Sequence, residues 1–280
     1  MEDKLYLPIG FKHEGQDVTE VELAETGGDA EKIFTKRASS SKLYSWMAQV
    51  ISASIAQIGG VSVASEFFKQ KDGATEIPSV IKKIPLLDVG SLMLQIQREC
   101  WEDVLENQKI SCIHCGSVLE ADVDLYKMPL PKSEDGKALE HYTVELSKPH
   151  KISGMPEIMD EYNGHLVNRI KFRTATLGDA IRHENVSQDE VVFWRNIAFD
   201  TIVSMHYEDK DGEITELPDG FMAKRGKLFF TKDLSTRTLK QIRSGMTKTQ
   251  PSGRLYYEDE CAKCTRMTPF LASPVNFFRA

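Results

Sequence analysis

Cysteine is scarce in this chain, with five residues in 280, which excludes a disulfide-stapled scaffold. Long apolar runs are missing too. The best stretch, residues 50–64, is broken by Ser52, Ser54, Gln57, Gly59 and Gly60 and falls short of the roughly 20 residues of a membrane span. The opening residues Met1-Glu2-Asp3-Lys4 lack the basic-then-apolar pattern of an export signal. Excess positive charge is absent: 35 Lys and Arg stand against 42 Asp and Glu, a net charge of −7, so a generally cationic coat for nucleic acid is not expected. Phosphate-binding Gly-rich loops, His-Glu-x-x-His and Gly-x-Ser-x-Gly are all missing. The seven His (His13, His114, His141, His150, His165, His183 and His206) are scattered, and no catalytic constellation forms. The expectation is a non-enzymatic protein of a reducing compartment with no membrane segment.

What is present is ordinary globular material. Hydrophobic residues make up 41 % and charged residues 28 %, near the averages of folded domains, and the length suits about two domains of roughly 150 residues. The charge is unevenly placed. Residues 221–280 hold twelve Lys and Arg against four Asp and Glu, whereas residues 1–220 hold 23 against 38. Such a block can be a solvated face, or a basic surface that docks on an acidic partner or on a neighbouring copy. In the second reading Arg237, Arg243 and Lys248 face the partner. Phe277 and Phe278 are then buried, because an apolar pair near a terminus would otherwise fray into water.

The chain also resembles itself, which is checked before any element is assigned. Gly28-Asp29-Ala30 returns as Gly178-Asp179-Ala180, and Trp46 as Trp194. Thr75-Glu76-Ile77-Pro78 returns as Thr215-Glu216-Leu217-Pro218. Cys112-x-x-Cys115 returns as Cys261-x-x-Cys264, 149 residues on (261 − 112). The four landmarks keep their order, which points to a tandem duplication. Each copy is expected to be a small β element, two helices and a closing Cys-x-x-Cys knuckle, an α+β unit. The copies span residues 1–135 and 136–280, joined by the Pro-, Gly- and charge-rich stretch 128–141.

Periodicity fills in the elements. Alternation predicts strands over 18–25 and 166–174. Helices are expected over 41–58 and 188–207, the latter capped by Ser187 with Glu190 three residues on. Second helices follow over 88–106 and 231–245, the first with Val89, Leu92, Met93, Ile96 and Cys100 at helical spacing. Trp46 and Trp194 read as core anchors.

The Cys pairs carry the only sharp chemistry. A two-residue spacer lets both thiolates face one ion, and Gly116 after the first pair permits the tight turn that aims backbone N–H groups at sulfur. Thr265 holds the equivalent place in the second pair. A structural zinc needs four ligands, so Cys112, Cys115, Cys261 and Cys264 are expected to meet on one ion. Zinc leads an iron–sulfur cluster, since both take four thiolates but zinc is the commoner structural choice. A redox dithiol would require the pair at a helix N-terminus, whereas each pair here follows a helix. His114 is expected to point away from the ion, and Cys100 to be a core thiol.

Beyond these motifs, the first half opens with Leu7-Pro8-Ile9-Gly10-Phe11. It later gives Leu92-x-Leu94-x-x-x-Arg98, and then Cys112-x-x-Cys115-Gly116 followed by Asp122-Val123-Asp124-Leu125 and a Pro-rich stretch. The second half ends in its own Cys pair and Phe277-Phe278. This layout resembles the baseplate hub subunit and hub-assembly family of contractile-tailed bacteriophages and related injection systems. It departs from the family at Ile113-His114 and in the missing Gly after Cys264. The resemblance implies a structural or assembly role in the virion's tail baseplate, built in the host bacterial cytoplasm. Its partners would be other hub, wedge or tail-tube proteins, with further copies of the chain as another option. Two further readings stay open: a transient assembly chaperone absent from the finished particle, and a zinc-ribbon nucleic-acid binder using the basic C-terminal segment.

Overall fold

A computed structural model describes residues 4–25, 27–35, 42–68, 76–130, 137–151, 166–185, 189–209, 211–217, 236–248 and 256–271. It is a mixed α+β protein with antiparallel sheets. In the first half, β1 (Lys4–His13) and β2 (Gln16–Leu23) form a hairpin, and α1 (Gly28–Phe34) and α2 (Leu43–Ser54) follow. β3 (Ile55–Ile58) and β4 (Val61–Ser62) then complete a sheet of order β1-β2-β3-β4. Its two hairpin turns, Glu14-Gly15 and Gly59-Gly60, have positive φ at both residues, which matches the right-handed twist of the flanking strands. Short helices α3 (Ala64–Phe68) and α4 (Ser79–Lys82) precede the long α5 (Leu86–Cys100). The hairpin β5 (Val104–Ser111)–β6 (Val118–Asp124) comes next.

The second half runs through β7 (His141–Lys151), β8 (Leu166–Arg173), α6 (Leu177–Glu184) and α7 (Glu190–Thr201). It continues with β9 (Ile202–Glu208), β10 (Ile214–Glu216), α8 (Thr236–Lys248) and the hairpin β11 (Tyr256–Glu260)–β12 (Met267–Leu271). Its sheet has the order β10-β9-β8-β7. The irregularities recur with the order. Between Tyr6 and Phe11, β1 takes five steps while β2 takes two, from Glu20 to Val18. β7 takes the same five from Glu145 to His150 against Arg169 to Val167. A smaller slip falls at Glu22/Leu23 against β3 and at Lys171/Phe172 against β9. In both halves a helix passes into a strand with no intervening loop, at Ser54/Ile55 and at Thr201/Ile202.

By contacts the chain divides into two compact units. One is Met1–Ala138 with Thr176–Gly178 and Pro251–Ala280, and the other is Leu139–Ala175 with Asp179–Gln250. The β11–β12 hairpin therefore groups with the first unit, although it lies in the second half of the sequence. In that first unit the core joins Leu5, Leu7 and Ile9 of β1 to Val50 and Ile51 of α2 and to Leu92, Met93 and Ile96 of α5, all essentially fully buried. Two polar side chains of α5 fasten it to the β1 bulge. The Asp88 carboxylate accepts the Ile9 and Gly10 N–H groups at 2.9 Å each, and Gln95 both accepts from the Tyr6 N–H (2.8 Å) and donates to its carbonyl (2.9 Å). Burial pushes the Asp88 carboxyl up to about 7 against the pull of those two N–H donors.

In the second unit α8 approaches β7 through Gly245, where an added Cβ would lie 2.7–2.8 Å from both Val144 methyls. An ion network ties α6 and α7 to β8. Arg173 grips buried Asp179 with two bonds of 2.7 and 2.8 Å, and Asp200 takes Arg182 and His183 at 2.8 Å each.

Several expectations change. The helices stop at Ser54, Cys100 and Thr201; strands begin at once at Ile55 and Ile202, and after a short turn at Val104. Asp189 caps α7, accepting from Val191 and Val192, while Ser187 lies outside the described residues. The helix–strand junctions set the register: Trp46 aligns with Phe193, each 7 % exposed, and Trp194 falls one residue further round, half-buried. The Thr-Glu-Ile/Leu-Pro landmark fails. Thr215-Glu216 belongs to β10, whose topological counterpart is β4, whereas Glu76 lies outside any strand beyond α3.

Candidate metal centre

The two Cys pairs sit at the tips of the β5–β6 and β11–β12 hairpins, and local backbone bonding builds each tip alike. In the first, the Cys112 N–H donates to the Ser117 carbonyl (2.8 Å) and the Gly116 N–H to the Cys112 carbonyl (2.9 Å). In the second, the Cys261 N–H donates to Arg266 (3.0 Å) and the Thr265 N–H to Cys261 (2.7 Å). The turn closes through a left-handed residue after the second cysteine, Gly116 at φ +71° and Thr265 at φ +56°. Thr265 therefore adopts the conformation that favours glycine.

The tips meet, as the sequence expectation required, but both lie within the first compact unit and not one in each. Cys112 Sγ lies 3.7 Å from Cys264 Sγ, and Cys115 Sγ lies 3.7 Å from Cys261 Sγ. All four sulfurs fall within 4.8 Å of one another. Cys112 and Cys261 are buried, Cys264 is half-buried and Cys115 is exposed. Among the described residues this is the cluster of thiol, imidazole and carboxylate groups close enough to hold a metal ion.

Hydrogen-bond donors surround the sulfurs. The Thr268 hydroxyl donates to Cys112 Sγ at 3.2 Å, and the His114 N–H reaches the same atom at 3.4 Å. Ser117 Oγ lies 3.0 Å from Cys115 Sγ and 3.3 Å from Cys261 Sγ. These donors favour thiolate. The Thr268 hydroxyl, followed by backbone N–H groups, brings Cys112 down to about 5 despite burial. The Ser117 hydroxyl and the Cys264 N–H lower Cys261. Cys264 also accepts from the Arg266 N–H, but burial and the three neighbouring sulfurs outweigh it and push the thiol up to about 11. Four thiols crowded together resist losing all four protons unless a cation joins them, and a divalent ion supplies that charge.

The remaining sequence candidates fall elsewhere. His114 is exposed, and its Nε2 lies 3.2 Å from the Met267 carbonyl, bridging the two tips without joining the sulfur cluster. Cys100 is half-buried at the end of α5 and is not a member either. Arg237 is exposed on α8. Arg243 pairs with Glu190 and lies over the Trp194 ring, 5.3 Å from its centre. It borders an apolar groove floored by Val191, Ala198, Leu239 and Ile242. The Lys248 side chain, Phe277 and Phe278 lie outside the described residues. Among the described residues no helix is long and apolar enough to cross a membrane. Ser117 and Thr268 were not singled out by sequence. The signal that points to them is a hydroxyl residue just beyond each Cys-x-x-Cys turn.

Comparison with family models, with curated proteins and with solved structures finds no match to this chain.

Proposed function

We propose that this chain is a non-enzymatic structural protein made of two tandem copies of one motif whose closing Cys pairs share a single zinc ion, and that it serves in the baseplate hub of a contractile phage tail. The sulfur spacing carries the metal part. Zinc bound at about 2.3 Å in a tetrahedron separates its thiolates by about 3.8 Å, and both cross-tip pairs here are 3.7 Å apart. A cluster would set two or four irons among the sulfurs and spread them further, so one ion suits the site better. Cys112, Cys115, Cys261 and Cys264 would hold it. Four protein ligands leave no open position for a substrate, so the ion's contribution is to neutralise thiolate charge and cross-link segments 149 residues apart in sequence.

The duplication is supported by the shared strand order, by the matching five-against-two bulges and by the two direct helix–strand junctions. The hub assignment rests on the sequence layout. Metal analysis of the purified chain should give one zinc per chain. Mass spectrometry of purified tails should find its peptides in the mature particle. Peptides confined to assembly intermediates would make it a chaperone, and peptides in neither would end the tail reading.

A further inference from the structure

The two tips do more than contribute two sulfurs each. The hydroxyl nearest each buried cysteine includes one from the opposite hairpin. Thr268, on β12 and 0 % exposed, donates to Cys112 of the first tip at 3.2 Å. Ser117, in the first tip, lies 3.3 Å from Cys261 of the second tip as well as 3.0 Å from Cys115 of its own. The exchange is not a consequence of the repeat. With the tips in register at 149 residues, Ser117 corresponds to Arg266 and Thr268 to Leu119, so the two hydroxyls come from unrelated positions and converge on equivalent sulfurs.

Chemistry gives such donors a task. Four thiolates around a divalent cation leave an excess of two negative charges, and Cys112 and Cys261 carry theirs out of water. Buried charge is tolerated when hydrogen-bond donors share it. Backbone N–H groups of its own tip reach each buried sulfur, His114 on Cys112 and Cys264 on Cys261, and the hydroxyl of the opposite hairpin adds a further donor. We infer that Ser117 and Thr268 are positioning residues of the metal centre, Thr268 holding the buried Cys112 thiolate of the opposite hairpin and Ser117 bridging Cys115 of its own hairpin to the buried Cys261 thiolate of the other, so that docking of the hairpins and retention of the ion form one event.

This inference rests on the single-ion reading, and the test separates the two. Full-length wild type, Ser117→Ala, Thr268→Val, the double variant and the conservative pair Ser117→Thr and Thr268→Ser are loaded with cobalt(II) as a spectroscopic stand-in and, separately, with zinc. The measurements are stoichiometry, the thiolate-to-cobalt charge-transfer band, and the rate of zinc loss to a strong chelator. Outer-shell partners of metal ligands are worth about 10–100-fold in affinity. Ser117→Ala and Thr268→Val should still bind one ion, which shows that the site has formed. They should lose zinc about tenfold faster and move the charge-transfer band to longer wavelength, because a thiolate without its hydrogen bond gives up charge more easily. Thr268→Ser should restore both properties. Wild-type release rates and an unmoved band in Ser117→Ala and Thr268→Val, with one ion bound, would overturn the positioning role and leave the metal centre intact. Failure of the wild type itself to bind either metal would remove the single-ion reading and the inference with it.

Discussion

The two four-stranded sheets share order and bulges, yet each is fastened to its long helix by different chemistry. On the first, α5 sends a carboxylate and an amide into the β1 bulge, where Asp88 accepts the Ile9 and Gly10 N–H groups and Gln95 bonds the Tyr6 backbone. On the second, a shift of 150 residues along the long helix puts Thr238 and Gly245 in those places. There α8 closes on β7 by having no side chain to keep it away. A parallel exchange occurs at the first helix after the hairpin. Asp29 is solvent-exposed and pairs with exposed Lys32, whereas Asp179 is buried under Arg173. The frame of strand order, bulges and helix–strand junctions is thus common to both, and the polar contacts that lock it are local to each. Among the described residues the four-cysteine cluster has no second copy, because both knuckles are consumed in one site inside the first unit.

The largest break in this comparison should come from the ion. Binding at structural zinc sites contributes on the order of 10 kcal/mol in small peptides. Removing the metal, or changing Cys112→Ser or Cys261→Ser, should therefore strip amide-exchange protection from β5, β6, β11 and β12 while β7 to β10 keep theirs. Cys100→Ser should change neither set. Uniform loss across all these strands would mean that the ion supports the whole chain and not one unit.

Next in size is the exchanged aspartate. Asp179→Ala leaves Arg173 without its bidentate partner at a part-buried position, which should cost about 2–4 kcal/mol in urea unfolding. Asp29→Ala at the matching exposed position should leave the urea midpoint nearly unchanged. Equal effects would show that burial is not what separates the two sites.

Asp88 sharpens the contrast through pH. Burial, opposed by the Ile9 and Gly10 N–H groups, raises its folded pKa to about 7 from the ordinary 3.8. The folded state then holds a proton that the unfolded state has released. Stability from this group is therefore lost as pH rises from about 4 to 7 and is level above that. Asp88→Asn should flatten the difference in urea midpoint between pH 5 and pH 8. The second unit has Thr238 in the matching place and should show no such slope in its own exchange protection. An unchanged slope in Asp88→Asn would assign the pH dependence to other groups.

How much of this was legible in sequence follows from the kind of signal each feature leaves. The four-cysteine cluster was readable because Cys-x-x-Cys constrains two sulfurs by spacing alone, and two such pairs need each other. The strands β3 and β9 were not, because Ile55 and Ile202 continue the apolar content of their helices with no Gly or Pro at the junction. β1 drew no strand assignment because Pro8 and Gly10 interrupt its pattern, and both sit in a bulge where they are accommodated. Trp46 and Trp194 gave a register wrong by one residue, since a rare residue type draws the eye more than the helix phase that places Phe193 inward. Asp179 looked identical to Asp29 because its partner, Arg173, is supplied by a neighbouring strand.

A smaller effect is expected at the helix–strand seam. Gly245→Ala puts a methyl against Val144, and overpacking of this kind typically costs about 1–3 kcal/mol. Val144→Ala combined with Gly245→Ala should recover part of it, as coupled neighbours do. Additive losses would show that the close approach is incidental to the seam.

The smallest expected effect tests the two knuckles against each other. Thr265 is β-branched and holds φ +56°, whereas Gly116 occupies the equivalent place at φ +71° without such a conflict. A left-handed conformation costs an L-residue about 1–2 kcal/mol, and glycine's greater freedom in the unfolded chain takes back about 0.5–1 kcal/mol. Among the described residues the Thr265 hydroxyl bonds the carbonyl of the adjacent Cys264, at an exposed position, so little else is lost with it. Thr265→Gly should therefore stabilise the zinc-loaded protein by about 0.5 kcal/mol. The exchange can be run in reverse, because an added Cβ at Gly116 meets nothing within 4 Å, so Gly116→Thr should destabilise through the backbone alone and by a similar amount. The double exchange should then leave the unfolding midpoint near wild type. Destabilisation by Thr265→Gly would mean that threonine at this turn makes a contribution to the second knuckle that its backbone angle does not reveal.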